Sequence, residues 1–119
     1  MLFSESLKKS KDFKRVYSNG ASYANKFLVL YVLKNDTNRN RLGISVSKKV
    51  GNSIVRHRLT RLIRESYRLN EERFLRGYDF VVIARIGAKQ KKCQEVEKAL
   101  LHLGKLHKVV DQQMELQKK

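Results

Sequence analysis

A chain of 119 residues fits one domain of common size, and its one cysteine, Cys93, excludes an intramolecular disulfide framework. The formal net charge is +16, from 27 Lys and Arg against 11 Asp and Glu, and self-repulsion on that scale opposes compaction. A polyanionic partner accounts for such an excess, with nucleic acid the first candidate and a membrane surface the second.

The N-terminal stretch MLFSESLKK lacks the basic-then-apolar layout of a secretory signal. The longest apolar run, Phe27 to Leu33, is seven residues, far short of a membrane span. A soluble protein in a reducing, cytoplasmic setting is expected, with no membrane partner. There is no proline or tryptophan to punctuate the chain.

Ser10 is placed to cap a first helix and Gly20 to end it. Phe13, Val16 and Tyr17 fall at i, i+3, i+4 and make one apolar-aromatic face, with Lys11, Lys14 and Arg15 off it. Ala21 to Leu33 reads as strand. Its core, FLVLYVL, is apolar on both alternating faces, so it is expected to be covered on both sides. Lys34 to Asn40 is a polar turn. Arg41 to Lys49 alternates cleanly: Leu42, Ile44 and Val46 point to a core, and Gly43, Ser45, Ser47 and Lys49 point away. A strand face of small and hydroxyl residues ending in lysine is a plausible groove floor, or a solvated outer face.

Gly51-Asn52-Ser53 breaks that strand and opens a helix to about Leu69, with Asn52 or Ser53 as cap. A polar connection follows from Asn70 to Gly77, with one further helical turn at Glu71 to Leu75. Tyr78 to Arg85 is a third clear strand. A last helix spans about Lys89 to Val109, with Val96, Leu100, Leu103 and Leu106 as its apolar stripe. The polar tail after Asp111 is expected to fray. Strands separated by a long helix point to an α+β fold, an α/β sandwich of one sheet with helices packed on it.

The helix after Gly51 carries the clearest signal. On a wheel of about 100° per residue, Val55, Leu59, Leu62, Ile63, Ser66 and Leu69 share one side. His57, Arg58, Arg61, Arg64 and Arg68 share the other, and Arg56 borders the apolar arc. From Thr37 to Arg64 there are eight basic residues and no acidic one. Arg61/Arg64 and Arg64/Arg68 are like-charge pairs at i, i+3 and i, i+4, which repel one another. A helix built only for its own stability would mix signs. A phosphate backbone explains the pattern, since each guanidinium takes a phosphate bidentately. Arginine over lysine fits RNA, where guanidinium groups also stack on splayed bases.

The segment KKVGNSIVRHRLTRLIRE, Lys48 to Glu65, resembles the signature of the bacterial ribonuclease P protein component. Gly51, Asn52, Arg56, Arg58, Arg61 and Arg64 match its turn and arginine helix. His57 stands where the family usually has Asn, and Thr60 where it usually has Lys. The likeness extends through DFKRVYSNG, SYAN, RLGISVSKK and VVIAR, over about residues 7–110 as one domain. It implies an αβββαβα sandwich with a four-stranded sheet and a left-handed crossover through the arginine helix.

The resemblance also implies a function: the protein subunit of ribonuclease P, which assists a catalytic RNA in removing the 5′ leader from precursor tRNA. The RNA subunit would hold the Mg²⁺ ions and do the hydrolysis. Asn52, Arg56, His57, Arg58, Arg61, Arg64 and Arg68 would bind that RNA. Phe13, Tyr17, Val29, Tyr31, Ser45, Lys49 and Arg85 would line a groove for the leader, with Lys48 near its mouth. No obligate protein partner is implied.

No catalytic or metal site stands out in the sequence. His57, His102 and His107 are scattered, and the latter two read as surface residues. Cys93 reads as an inert thiol and Asp79 as a structural turn residue. A self-contained metal-dependent nuclease would need clustered carboxylates, and only Glu65, Glu71 and Glu72 come near one another. A ribosomal or general RNA-binding protein on a similar fold is the remaining alternative.

Overall fold

The structure, a computed structural model, describes residues 1–110. In chain order these form β1 (Ser4–Ser6), α1 (Ser10–Asn19), β2 (Ala21–Ala24), β3 (Leu28–Lys34), β4 (Asn40–Ser45), α2 (Ser53–Asn70), β5 (Tyr78–Ala84) and α3 (Cys93–Leu106). Short 3-10 turns at Glu71–Arg73 and Ile86–Ala88 flank β5. The tail expected to fray lies outside the described residues.

Among the described residues the sheet has five strands, in the order β1-β4-β5-β3-β2, rather than four. The extra strand is β1, which pairs parallel with β4. Three residues reading Ser-Glu-Ser carry no alternation to announce it. It is held by Glu71, whose carboxylate accepts from the backbone N–H groups of Leu2 (2.7 Å) and Phe3 (3.1 Å).

The stretch Ala21 to Leu33 is not one strand but a tight antiparallel pair, β2 and β3. Asn25 makes the bend. Its Oδ1 accepts from the N–H groups of Phe27 (3.1 Å) and Leu28 (2.9 Å), an Asx-type turn. β4 likewise stops at Ser45, short of Lys49, because the chain turns at Ser47–Val50 (Val50 N–H to Ser47 O, 3.0 Å).

β3 pairs antiparallel with β5, and β4 pairs parallel with it, so α2 is the crossover between β4 and β5. One sheet face, with Leu28, Leu30, Val32, Leu42, Phe80 and Val82, packs on Leu59 and Ile63 of α2 and Leu100 and Leu103 of α3. The other face carries α1, where Val16 packs on Leu7 and Val81. No described helix is long and apolar enough to cross a membrane.

Several boundaries follow local chemistry. α1 starts at Ser10 with Lys9 in the cap position, so Ser10 is not the cap. Gly20 ends α1 in extended backbone; a Cβ there would lie 2.6 Å from the Val16 carbonyl oxygen that its own N–H bonds. α3 begins at Cys93 rather than Lys89, because Ile86–Ala88 forms its own short turn. Leu69 and Leu106, expected in apolar stripes, are 56% and 42% exposed. Tyr67 fills the core instead, its hydroxyl bonded to Ser4 Oγ (2.7 Å) and Asn40 Nδ2 (3.1 Å). Asn40, fully buried, also accepts at Oδ1 from the N–H groups of Gly77 and Tyr78.

Candidate nucleic-acid interface

Side chains alternate along a strand, so register decides which residues share a floor. Ser45 of β4, Ile83 of β5 and Val29 of β3 stand in one row across the sheet. Gly43, Val81 and Tyr31 form the next row. α1 covers the second row. Its Phe13 ring lies on Gly43, where a Cβ would come within 2.7 Å of the ring. Gly43→Ala is therefore expected to destabilise the fold by about 2 kcal/mol by overpacking and to displace α1. A denaturant titration checks the stability, and an unchanged midpoint would count against this packing.

The Ser45 row sits beside a pair of aromatic rings. Tyr17 meets Tyr31 edge-on, with centroids 5.0 Å apart, and Phe13 lies 6.3 Å from Tyr17. Burial raises the Tyr17 phenol above its ordinary value, and a hydrogen bond with Ser45 opposes that rise. The hydroxyl stays protonated at neutral pH and can donate.

β4 and β5 run parallel, so their last residues reach the same edge. Lys48 and Lys49, exposed in the turn after β4, and Arg85, just past β5, belong to that edge. Arg85 donates from Nη1 to the Asn25 carbonyl (2.7 Å). Thus Tyr17, Val29, Tyr31 and Ser45 gather around one floor with Ile83, and Phe13 packs more than it projects. Ile83 was absent from the sequence-derived groove, whereas Gly43 was placed on the expected floor face and is covered by Phe13. The alternation of YDFVVIAR was the available signal for Ile83, but a run apolar on both faces does not say which face opens.

The α2 residues divide more sharply than a wheel suggests. Asn52 caps the helix, its Oδ1 accepting from Val55 N–H at 3.0 Å. Arg56 is half-buried. Arg58 donates to the backbone carbonyls of Lys89 (3.2 Å) and Lys91 (2.7 Å), so it clamps the loop before α3. Arg68 binds Glu65 with two nitrogens, at 2.9 and 2.5 Å. His57, Arg61 and Arg64 are exposed, and neither Arg61 nor Arg64 has a side-chain partner among the described residues. Thr60 turns its hydroxyl back to the Arg56 carbonyl (2.9 Å).

The two buried acidic side chains among the described residues, Asp79 and Glu71, are occupied by their own chain. Asp79, with no exposed side-chain surface, accepts from Arg41 (2.9 and 2.7 Å), Arg15 (2.7 Å) and Asn35 (3.0 Å). Burial would raise its pKa, but the Arg41 and Asn35 hydrogen bonds and the arginine charges take it below the ordinary value. Glu71 is lowered in the same way: its N–H donors and the Ser4 hydroxyl outweigh burial. Among the described residues no three His, Cys, Asp or Glu side chains form a group that could hold a metal ion. His107 is not a plain surface residue; its Nε2 sits 2.7 Å from the Leu30 carbonyl oxygen, and burial lowers its pKa.

The family model described as Ribonuclease P matches residues 1–108. The chain belongs to the ribonuclease P protein family. It is 62% identical over 107 residues to the ribonuclease P protein component of Lachnoclostridium phytofermentans, covering 90% of this chain and 92% of that protein. The corresponding component of Alkaliphilus metalliredigens is 50% identical, over 87% and 94% of the two chains. Among solved structures, the RNase P protein of Staphylococcus aureus superposes with a TM-score of 0.82 at 39% identity, over 89% of this chain and 97% of that one. The RNase P protein from Thermotoga maritima gives 0.78 at 33% identity, over 84% and 94%. As a ribonuclease P protein, the chain is an RNA-binding subunit of a ribonucleoprotein endoribonuclease that acts in tRNA processing. Its partners are the ribonuclease P RNA and precursor tRNA.

Proposed function

We propose that the two surfaces divide the work of the subunit. The stripe of His57, Arg61, Arg64 and Arg68 on α2 holds the catalytic RNA. The floor of Ser45, Ile83 and Val29, beside Tyr17 and Tyr31, takes the single-stranded 5′ leader. The observation that carries this reading is the row of small and apolar side chains left beside an aromatic pair, with cations at its edge. Bases of any identity stack on aromatic rings, while edge cations follow the phosphates. The Arg61 and Arg64 guanidinium groups, without a side-chain partner among the described residues, lie on a different element.

The Mg²⁺ used in cleavage belongs, on this reading, to the RNA. That assignment agrees with the spending of Asp79, Glu71 and Glu65 on arginines and backbone amides. Within the subunit, Arg58 and Asn52 act by holding the α2 frame, and Arg61 and Arg64 make the phosphate contacts.

Adding the protein to a bacterial ribonuclease P RNA at low Mg²⁺ is expected to raise precursor tRNA cleavage and substrate affinity. No rise in either would sink the proposal. Tyr31→Ala is expected to weaken binding of leader-bearing substrate about tenfold, as lost stacking does, with little change in the salt slope. Binding of tRNA without a leader is the control, and an equal loss there would place Tyr31 outside the leader path.

A further inference from the structure

At the edge where β3 begins, a hollow of about 320 Å³ is lined by Phe27, Lys26, Lys98, Ala99, Glu95 and the Asn25 turn. The Phe27 ring is half-buried against the core and forms an apolar wall. Lys91 Nζ stands 5.0 Å from the ring centroid. Among the described residues Glu95 is the acid that lines the hollow, and it is engaged: it pairs with Lys91 at 3.6 Å and accepts from Lys92 N–H at 3.2 Å. Lys26 and Lys98 are exposed on the rim. The result is an aromatic surface under a rim of net positive charge.

An aromatic face beside ammonium groups suits a nucleotide, with the base on the ring and the phosphate on the lysines. The hollow also adjoins the end of the groove. Arg85 donates its N–H to the Phe27 carbonyl (2.9 Å) and its guanidinium to the Asn25 carbonyl (2.7 Å). The hollow lies around that edge, on the face that α3 covers, so a single strand that leaves the floor past Arg85 and turns over the end of the sheet meets Phe27 next.

We propose that this hollow binds a leader nucleotide beyond those on the groove floor, with its base against Phe27 and its phosphate held by Lys26 and Lys98. The proposal rests on the leader reading of the groove.

The test compares precursor tRNAs whose leaders are short, spanning only the groove, or longer by a few nucleotides. The enzyme is the complex of the full chain with a bacterial ribonuclease P RNA. The readout is the ratio of the two affinities. With the unaltered protein the longer leader is expected to bind about tenfold more tightly, the order expected for one stacked base. Phe27→Leu keeps an apolar side chain but removes the flat face, and should bring the ratio close to one. Lys98→Ala should lower the ratio and flatten its dependence on salt. A ratio near one with the unaltered protein would overturn the proposal. So would the unaltered ratio persisting in both variants, or an equal loss for both leaders in Phe27→Leu, which would make the ring a packing element. Tyr31→Ala, read on the short leader, tests the groove separately, so the two readings can fail independently.

Discussion

Asp79→Ala is expected to cost about 3 kcal/mol of stability, the range for removing one partner of a buried, paired charge. Asp79 sits on β5 with no exposed side-chain surface, and it joins elements far apart in the chain: Arg15 on α1, Asn35 after β3 and Arg41 on β4. Removing it leaves Arg41 and Arg15 to the looser Asp12 carboxylate, 3.5 and 3.9 Å away. A urea titration checks the loss, and a change below about 1 kcal/mol would mean the network contributes no more than a surface pair. The pH dependence has a definite sign. Asp79 is lowered below its ordinary value of 3.8 in the folded protein, so folding favours the charged form. Its contribution is complete at neutral pH and is lost as pH falls, from about pH 5 downwards. The stability gap between the unaltered protein and Asp79→Asn should therefore narrow in acid. Because Arg15 ties α1 to the sheet, Asp79→Ala should also weaken leader binding, through a helix that carries Phe13 and Tyr17.

The double change Arg61→Ala with Arg64→Ala is expected to lower affinity for the RNA subunit roughly a hundredfold, at one charged hydrogen bond or more per arginine. The salt dependence should flatten by about one unit of log–log slope for each arginine removed. Stability should stay close to unaltered or rise slightly, since two like charges at i, i+3 are gone and neither side chain has a partner among the described residues. Filter binding across a salt series, with thermal unfolding alongside, reads both. Arg58→Ala is the instructive comparison. It should lower stability as well, because its guanidinium holds the Lys89 and Lys91 carbonyls. A double variant that binds RNA normally would remove α2 from the RNA-subunit interface.

Much of this was legible in the residues. The alternation of Leu42, Ile44 and Gly43, Ser45 gave both faces of β4, and the one-sided charge of α2 gave its outer surface. What stayed hidden depended on contacts between distant segments. β1 exists because Glu71 supplies acceptors for two amides near the N-terminus, and no local pattern marks it. The wheel put Arg58 with Arg61, but it says nothing about the loop of carbonyls that α3 brings beside it. Tyr67 was missed because its ring completes an aromatic group with Phe74 and Phe80, contributed by later segments. The bend at Asn25 was written in the sequence as an asparagine within an otherwise continuous β run, and the apolar residues around it concealed the break.

Glu71 bears on the order of assembly as the chain leaves the ribosome. Its bonds to Leu2 and Phe3 span 69 and 68 positions of sequence. Leu2 and Phe3 are synthesised well before Glu71 and are thus seated late relative to their own synthesis. α1 and the β2–β3 pair can form from nearby residues, while β1 waits for β4 to be laid down beside it and for Glu71 to be synthesised. Contacts of such long span carry a high closure cost and form late. Seating Leu2 and Phe3 therefore marks a chain synthesised at least as far as the end of the arginine helix.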